Sequence, residues 1–207
     1  MRAARAWHAL TAAVTAVALV LQLILVIEGG RVLEESHPPS MWLRLLRFAS
    51  YFTVQSNVLV LVSTAVLARD PLRAEGAFRV VRTAAMTGII VTGLVHWFLL
   101  RPLLHLAVPV LASVGWLVFG PRPAMTWPTS RAATVWPLAW LVVILVQGAL
   151  TGWYPYPFLD HREHDWPHVV VVCAGIFVLW FALLFALQAY DRRMAPAPPA
   201  SAPATGS

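Results

Sequence analysis

The 207-residue chain contains no lysine, a single cysteine and few charged residues, which make up 12% of the sequence. Without lysine, neither a Schiff-base mechanism nor a Walker-type phosphate loop is available. Cys173 has no second cysteine with which to form a disulfide or a Cys-x-x-Cys site, and we interpret it as a small core residue. The motifs Gly-x-Ser-x-Gly, His-Glu-x-x-His and Gly-x-Gly-x-x-Gly are also absent, so the sequence carries none of these usual signatures of soluble enzymes.

Hydrophobic residues make up 59% of the chain, close to the share that six membrane helices of about 20 residues require. This composition excludes an ordinary soluble domain and a disordered chain, and the continuous apolar runs disfavour an outer-membrane barrel. The sequence therefore predicts an all-α, polytopic bundle of six transmembrane helices. The predicted spans are residues 9–27, 48–68, 83–100, 103–120, 133–151 and 169–190.

The net charge of +6 comes from arginines at the ends of the apolar runs, an arrangement that favours a membrane protein over nucleic-acid binding. Ten arginines lie at the termini and the even-numbered connections, and five lie on the other side. The positive-inside rule then predicts a multi-pass membrane protein with both termini cytoplasmic. The bias towards arginine, alanine and valine over lysine suggests a high-GC bacterium, and therefore the bacterial plasma membrane. We expect residues 1–193 to form the membrane domain and residues 194–207 a disordered Pro/Ala-rich tail.

Polar side chains inside an apolar span are costly and therefore informative about function. In the predicted second span, Ser50, Thr53 and Asn57 follow one another at helical spacing and should share one face. Thr53 should lie about 9 Å below Arg47, at a rise of about 1.5 Å per residue. The alternative is that such hydroxyls only bond to their own backbone or to a neighbouring helix.

Two histidines are predicted at a similar depth in the neighbouring spans. His96 should lie about 7 Å and His105 about 6 Å below Arg101. Pro109 leaves the carbonyl of His105 without its helical partner, so we expect a bend there. His105 could instead be structural, and His96, beside Trp97, could be an interfacial residue.

The connection after the fifth span is rich in aromatic residues and proline. It predicts an interfacial lid across the outer mouth of the bundle, with Trp153, Tyr154, Tyr156 and Phe158 against the substrate. The polar residues that follow could bind zinc, but their spacing matches no metal motif and a solvated loop is the preferred interpretation. These residues are His161, Glu163, His164, Asp165 and His168. We predict no metal and no cofactor.

Four segments, YFTVQSN (51–57), HLAVPVL (105–111), WLVFGPR (116–122) and GALTGWYPYPFLD (148–160), carry a resemblance that extends over most of the chain. They resemble a bacterial branch of six-span proteins related to the androgen-induced membrane hydrolases of animals, which hydrolyse fatty acid esters of hydroxy fatty acids. The resemblance implies Thr53 as nucleophile and His105 as its base. Pro109 lies one position nearer the histidine than in the animal proteins, so His96 remains the competing base.

This resemblance predicts an intramembrane lipid-ester hydrolase whose partners are membrane lipids and a lipid-ester substrate, with no nucleic acid. Asn57 could donate to the oxyanion, and Asp160 could orient the histidine. Many bacterial relatives are described only as integral membrane regulators, so a non-catalytic regulator or lipid-binding protein is the alternative. A transporter, or a b-type haem protein using His96 and His105 as axial ligands, is a further alternative.

Overall fold

A computed structural model of the chain describes residues 1–28, 39–97, 107–122 and 124–195. The regular structure within these ranges is entirely helical. It comprises α1 (Arg2–Ile27), α2 (Met41–Ser50), α3 (Phe52–Arg69), α4 (Gly76–Val95), α5 (Ala107–Phe119), α6 (Trp127–Thr151), a 3-10 helix (Pro157–Leu159) and α7 (Trp166–Arg193). His105 and residues 196–207 of the predicted tail lie outside the described residues.

Five helices, α1, α3, α4, α6 and α7, are long and apolar enough to cross a membrane. Large apolar side chains on their outer faces are exposed, among them Val178 at 70%, Phe185 at 71% and Leu150 at 81%. Exposed apolar surface on this scale is unusual for a soluble monomer and typical of helices that face lipid. The helices therefore indicate a membrane protein, and the all-helical prediction is confirmed for the described residues.

The predicted second span differs from the helices observed. The second span was expected to be one helix beginning at residue 48. The helix is instead interrupted at Tyr51, whose extended backbone (φ −67°, ψ 127°) separates α2 from α3. Ser50 therefore belongs to α2 and does not continue the face of Thr53. In the fourth span, residues 107–119 form α5, and residues 103–106 lie outside the described residues.

The start of α1 and the end of α7 both contact α5, at one end of the bundle. Trp7 donates its indole N–H to the carbonyl of Leu111 at 2.9 Å, and the Tyr190 hydroxyl donates to the carbonyl of Leu117 at 3.1 Å. We call this the termini end. At the opposite end, Arg44 of α2 donates to the last carbonyls of α1. That end also carries residues 152–165, and we call it the loop end.

Helix α4 lies at the centre and packs against α3, α5, α6 and α7. It is much more buried than the other spans: 61% of its apolar 18-residue stretch is buried, against 17–33% in α1, α3, α6 and α7. Small residues permit this close packing. At Gly88, an added Cβ would lie 2.8 Å from the ring of Trp136, so only glycine lets α6 approach here.

Helices α6 and α7 begin at side-chain caps. The hydroxyl of Thr126 accepts a hydrogen bond from the N–H of Thr129, and the carboxylate of Asp165 accepts one from the N–H of His168. Both residues satisfy first-turn donors that have no partner inside the helix. Helix α6 ends at Gly152, whose positive φ of 71° suits glycine and turns the chain into the loop.

Candidate functional site at the loop end

Thr53 lies in the first turn of α3, directly after the break at Tyr51. Its backbone N–H donates to the hydroxyl oxygen of Tyr156 at 3.3 Å, and its Oγ1 lies 3.2 Å from the same oxygen. First-turn N–H groups have no partner within their own helix, so the phenol takes the role of a capping side chain. The interaction joins residues 103 positions apart and ties the loop to α3.

Tyr156 is held in place by aromatic neighbours. Tyr51 and Trp140 meet its ring edge-on, with centroids at 5.7 and 6.0 Å, and Phe158 stacks on it at 5.3 Å. Burial raises the pKa of the Tyr156 phenol, and the hydrogen bonds with Thr53 only partly offset this effect. The phenol therefore stays neutral and keeps its proton, which it can donate to an oxygen beside Thr53.

Thr53 and Tyr156 both line a cavity with about 690 Å³ of empty space, which includes space open to the outside. The wall is mostly apolar and is built from the start of α3, from α4, α6 and α7, and from the loop. His96 contributes a polar group from the end of α4. Thr92 is a further polar residue of the wall, but its hydroxyl donates to Ser56 at 3.3 Å.

The predicted supporting residues have specific partners in the structure. Asn57 donates its amide N–H to the carbonyl of Thr53 at 2.8 Å, which holds the backbone of the first turn of α3. Its donation to an oxyanion stays a prediction. Because His105 lies outside the described residues, the predicted pairing of Thr53 with His105 also stays a prediction, whereas Thr53 and His96 share the cavity wall.

Asp160 pairs with Arg162 within the loop. Its two carboxylate oxygens accept hydrogen bonds from the guanidinium at 2.9 and 2.6 Å, and the same guanidinium donates to the carbonyl of Gly152. The hydrogen bonds from Arg162 hold the pKa of the Asp160 carboxyl below its usual value. This pair closes the loop onto the end of α6, and the role of Asp160 in orienting a histidine stays a prediction.

The four predicted lid residues divide into two groups. Tyr156 and Phe158 line the cavity. Trp153 instead packs against Tyr51, with its ring 4.8 Å from the Arg47 guanidinium, and so covers the start of α3.

Tyr154, the remaining predicted lid residue, anchors the loop to the bundle. A Cβ at Gly148 would overlap its ring, and its hydroxyl lies 3.1 Å from His161 Nδ1. Burial, followed by the charge of Asp160, raises the pKa of the Tyr154 phenol. The phenol is therefore a neutral hydrogen-bonding partner of the imidazole.

The histidines after the lid stack on neighbouring rings, and Asp165 caps α7. His161 stacks on Trp166 with centroids 4.6 Å apart, and His164 stacks on His168 at 4.5 Å. Within residues 1–28, 39–97, 107–122 and 124–195, no three histidine, cysteine, aspartate or glutamate side chains are grouped so that they could hold a metal ion.

Sequence reasoning missed the contact between Thr53 and Tyr156, although it selected both residues. It also missed the contribution of α7, where Cys173 and Ile176 line the cavity. The dense aromatic segment after α6 was the available signal for Tyr156.

Comparisons of the chain with protein-family models, with curated proteins and with solved structures find no match in any of the three.

Proposed function

We propose that the protein is an intramembrane lipid-ester hydrolase whose reaction takes place in the cavity at the loop end. The observation that carries the proposal is the position of the Thr53 hydroxyl, which borders a mostly apolar cavity and lies 3.2 Å from a buried, neutral phenol. The resemblance described above implies the same threonine as nucleophile. An apolar cavity with few polar groups suits a ligand with a long acyl chain and one reacting carbonyl.

In the proposed reaction, Thr53 Oγ attacks the ester carbonyl carbon while a histidine accepts its proton. The tetrahedral oxyanion collapses, the bond to the alcohol oxygen breaks, and the histidine returns the proton to the departing alcohol. Water then attacks the acyl-threonine ester with the histidine again as base, which releases the fatty acid and restores Thr53. General-base assistance of this kind contributes roughly 10²–10⁴-fold to the rate.

The base is His105 by resemblance, and His96 is the competitor because it borders the same cavity as Thr53. Exchanging each histidine for glutamine separates the two assignments. We expect H105Q to lose turnover by about 10²-fold or more and H96Q to change substrate affinity mainly. The reverse pattern would assign the base to His96.

Tyr156 is proposed to donate its phenolic proton to the developing oxyanion. Its proton is retained because burial raises the phenol pKa, and its oxygen is already adjacent to the nucleophile. A donor aimed at the oxyanion contributes about 3–4 kcal/mol to transition-state stabilisation. Asn57, one turn further along α3, would then serve chiefly to hold the backbone of Thr53.

The test is hydrolysis of a fatty acid ester of a hydroxy fatty acid by purified protein in detergent micelles, together with labelling by a fluorophosphonate probe. We expect T53A to abolish both, whereas T53S retains labelling because it keeps a hydroxyl. T15A is the matched control, since Thr15 is buried in α1 and bonds only to its own helix, at 2.7 Å from the carbonyl of Thr11. Full turnover by T53A would refute the proposed nucleophile.

A second candidate is a non-catalytic lipid-binding protein or membrane regulator. The hydrogen bonding of Thr53 favours it, because both the hydroxyl and the N–H of this residue already have a partner within the protein. In that case T53V would lower the melting temperature, and no ester would be turned over by the wild type. The same cavity would hold an acyl chain without cleaving it.

A further inference from the structure

A second cavity lies at the termini end, enclosed by α1, α3, α4 and α5, with about 350 Å³ of empty space that includes space open to the outside. Its wall contains an unusual set of polar side chains for the interior of a helical bundle. These are His8, Thr11, Ser63, Thr64 and Arg82. It is separate from the cavity that holds Thr53, which is at the loop end.

His8 is buried in this wall without a hydrogen-bond partner. Its side chain is 2% exposed, and neither ring nitrogen forms a hydrogen bond with any described residue. The imidazole instead meets the ring of Phe119 edge-on at 6.5 Å. A buried polar group is expected to have a partner, so a polar ligand in the cavity is the natural partner for these nitrogens.

Arg82 places a positive charge beside His8, at an exposure of only 5%. Its charge interacts with those of Asp191 and Arg122. Asp191 has other partners besides Arg82. One of its carboxylate oxygens lies 3.7 Å from Arg122 Nε, and the other accepts hydrogen bonds from the N–H groups of residues 124 and 125 at 2.8 Å. The side chains of Arg82, Arg122 and Asp191 together carry a net charge of one positive unit.

A buried excess charge is strongly unfavourable without a counter-ion. We propose that this cavity binds a phosphate oxyanion with one negative charge, held by Arg82 and by an N–H of His8. A guanidinium matches phosphate geometry well, and the phosphodiester of an anionic lipid carries the single charge that balances the group. The arginine distribution predicts that the termini end faces the cytoplasmic leaflet, so the source is either a lipid headgroup or free phosphate.

The proposal is independent of the ester hydrolysis proposed for the loop end. It is tested by calorimetric titration of the purified full-length protein in a neutral detergent with lysophosphatidylglycerol and with inorganic phosphate. We expect R82Q to weaken binding about tenfold or more, because it removes a charge-assisted hydrogen bond. R131Q is the matched control, since Arg131 is exposed in the first turns of α6, and we expect its affinity to equal that of the wild type.

Binding of lysophosphatidylglycerol alone assigns the site to a lipid headgroup, and binding of inorganic phosphate assigns it to a free anion. Failure of both to bind the wild type overturns the proposal. Equal losses in R82Q and R131Q, or equally tight binding of an uncharged monoacylglycerol, overturn it as well. If R82Q does not fold, H8F decides, because it keeps an aromatic ring and removes both nitrogens: weaker binding supports the site, and unchanged binding overturns it.

Discussion

The hydroxyl oxygen of Tyr156 contacts both the N–H and the side-chain oxygen of Thr53, at 3.3 and 3.2 Å. One phenol thus fixes the start of α3 and the direction of its first hydroxyl. The contact makes the loop and the helix a single unit at this end of the protein. Any change in the loop that displaces Tyr156 will therefore disturb its hydrogen bonds with Thr53.

The first prediction concerns this phenol. Y156F should lower the free energy of unfolding by about 1 kcal/mol, because it removes hydrogen bonds to Thr53. If the proposed hydrolysis is correct, it should also reduce turnover by roughly 10²-fold, as expected for a lost oxyanion donor. Thermal unfolding and an ester-hydrolysis assay measure the two effects. Y190F is the control, because Tyr190 bonds to Leu117 at the opposite end and should affect stability only.

The second prediction concerns the buried carboxylate of Asp191. D191N should lower the free energy of unfolding by about 3–5 kcal/mol, because it leaves the charges of Arg82 and Arg122 uncompensated in the interior. D70N is the control, since Asp70 is exposed and its carboxylate accepts only from Leu72 among the described contacts. Chemical denaturation in detergent compares the two variants. Similar stabilities would contradict the electrostatic role of Asp191.

The third prediction concerns the packing of α4 against α6. G88A should cost about 1–3 kcal/mol, because its new methyl group would lie 2.8 Å from the ring of Trp136. G175A adds the same methyl group on α7 where no atom lies within 4 Å, so it should be neutral or slightly stabilising. Melting temperatures of the two variants measure the difference. Equal effects would mean that α6 moves away at no cost.

The fourth prediction concerns the pH dependence of the loop. Hydrogen bonding with Arg162 lowers the pKa of Asp160 in the folded protein, so the ionised form stabilises the fold. This stabilisation is complete above the pKa that the carboxyl has in the unfolded chain, about 3.9. It is lost as the pH falls through the lower pKa of Asp160 in the folded protein. The wild type should therefore melt higher than D160N at pH 6, and the two should converge in acid. E163Q, at an exposed neighbouring position, should follow the wild type throughout.

The helices could be predicted because each depends on a continuous run of apolar residues. Within the part of the chain that the structure describes, five of the six runs correspond to helices long enough to cross a membrane. The break at Tyr51 was not predicted, because residues 48–68 carry no charge or proline that would mark it. Its backbone conformation is consistent with the contacts that Tyr51 makes with Trp153 and Tyr156, which come from the distant loop.

The candidate site could be predicted only in part, for a similar reason. Thr53, His96 and Tyr156 were each selected as polar or aromatic residues at unusual positions. Their shared cavity depends on how α3, α4 and the loop pack, which local sequence does not encode. The cluster around Arg82 was missed because the positive-inside rule counts this arginine as a cytoplasmic marker, whereas the helix places it inside the bundle at 5% exposure.

Helix α2 is joined to α3 through Tyr51 alone, and it carries an outward-facing Trp42 that is 70% exposed. Such a helix, polar on one side and apolar on the other, settles at the boundary between lipid and water. If α2 lies at that boundary, the short junction sets how far Thr53 lies beneath it. If the proposed hydrolysis is also correct, lengthening the junction by a few residues would uncouple this depth from the position of α2 and change which part of a lipid substrate reaches the threonine.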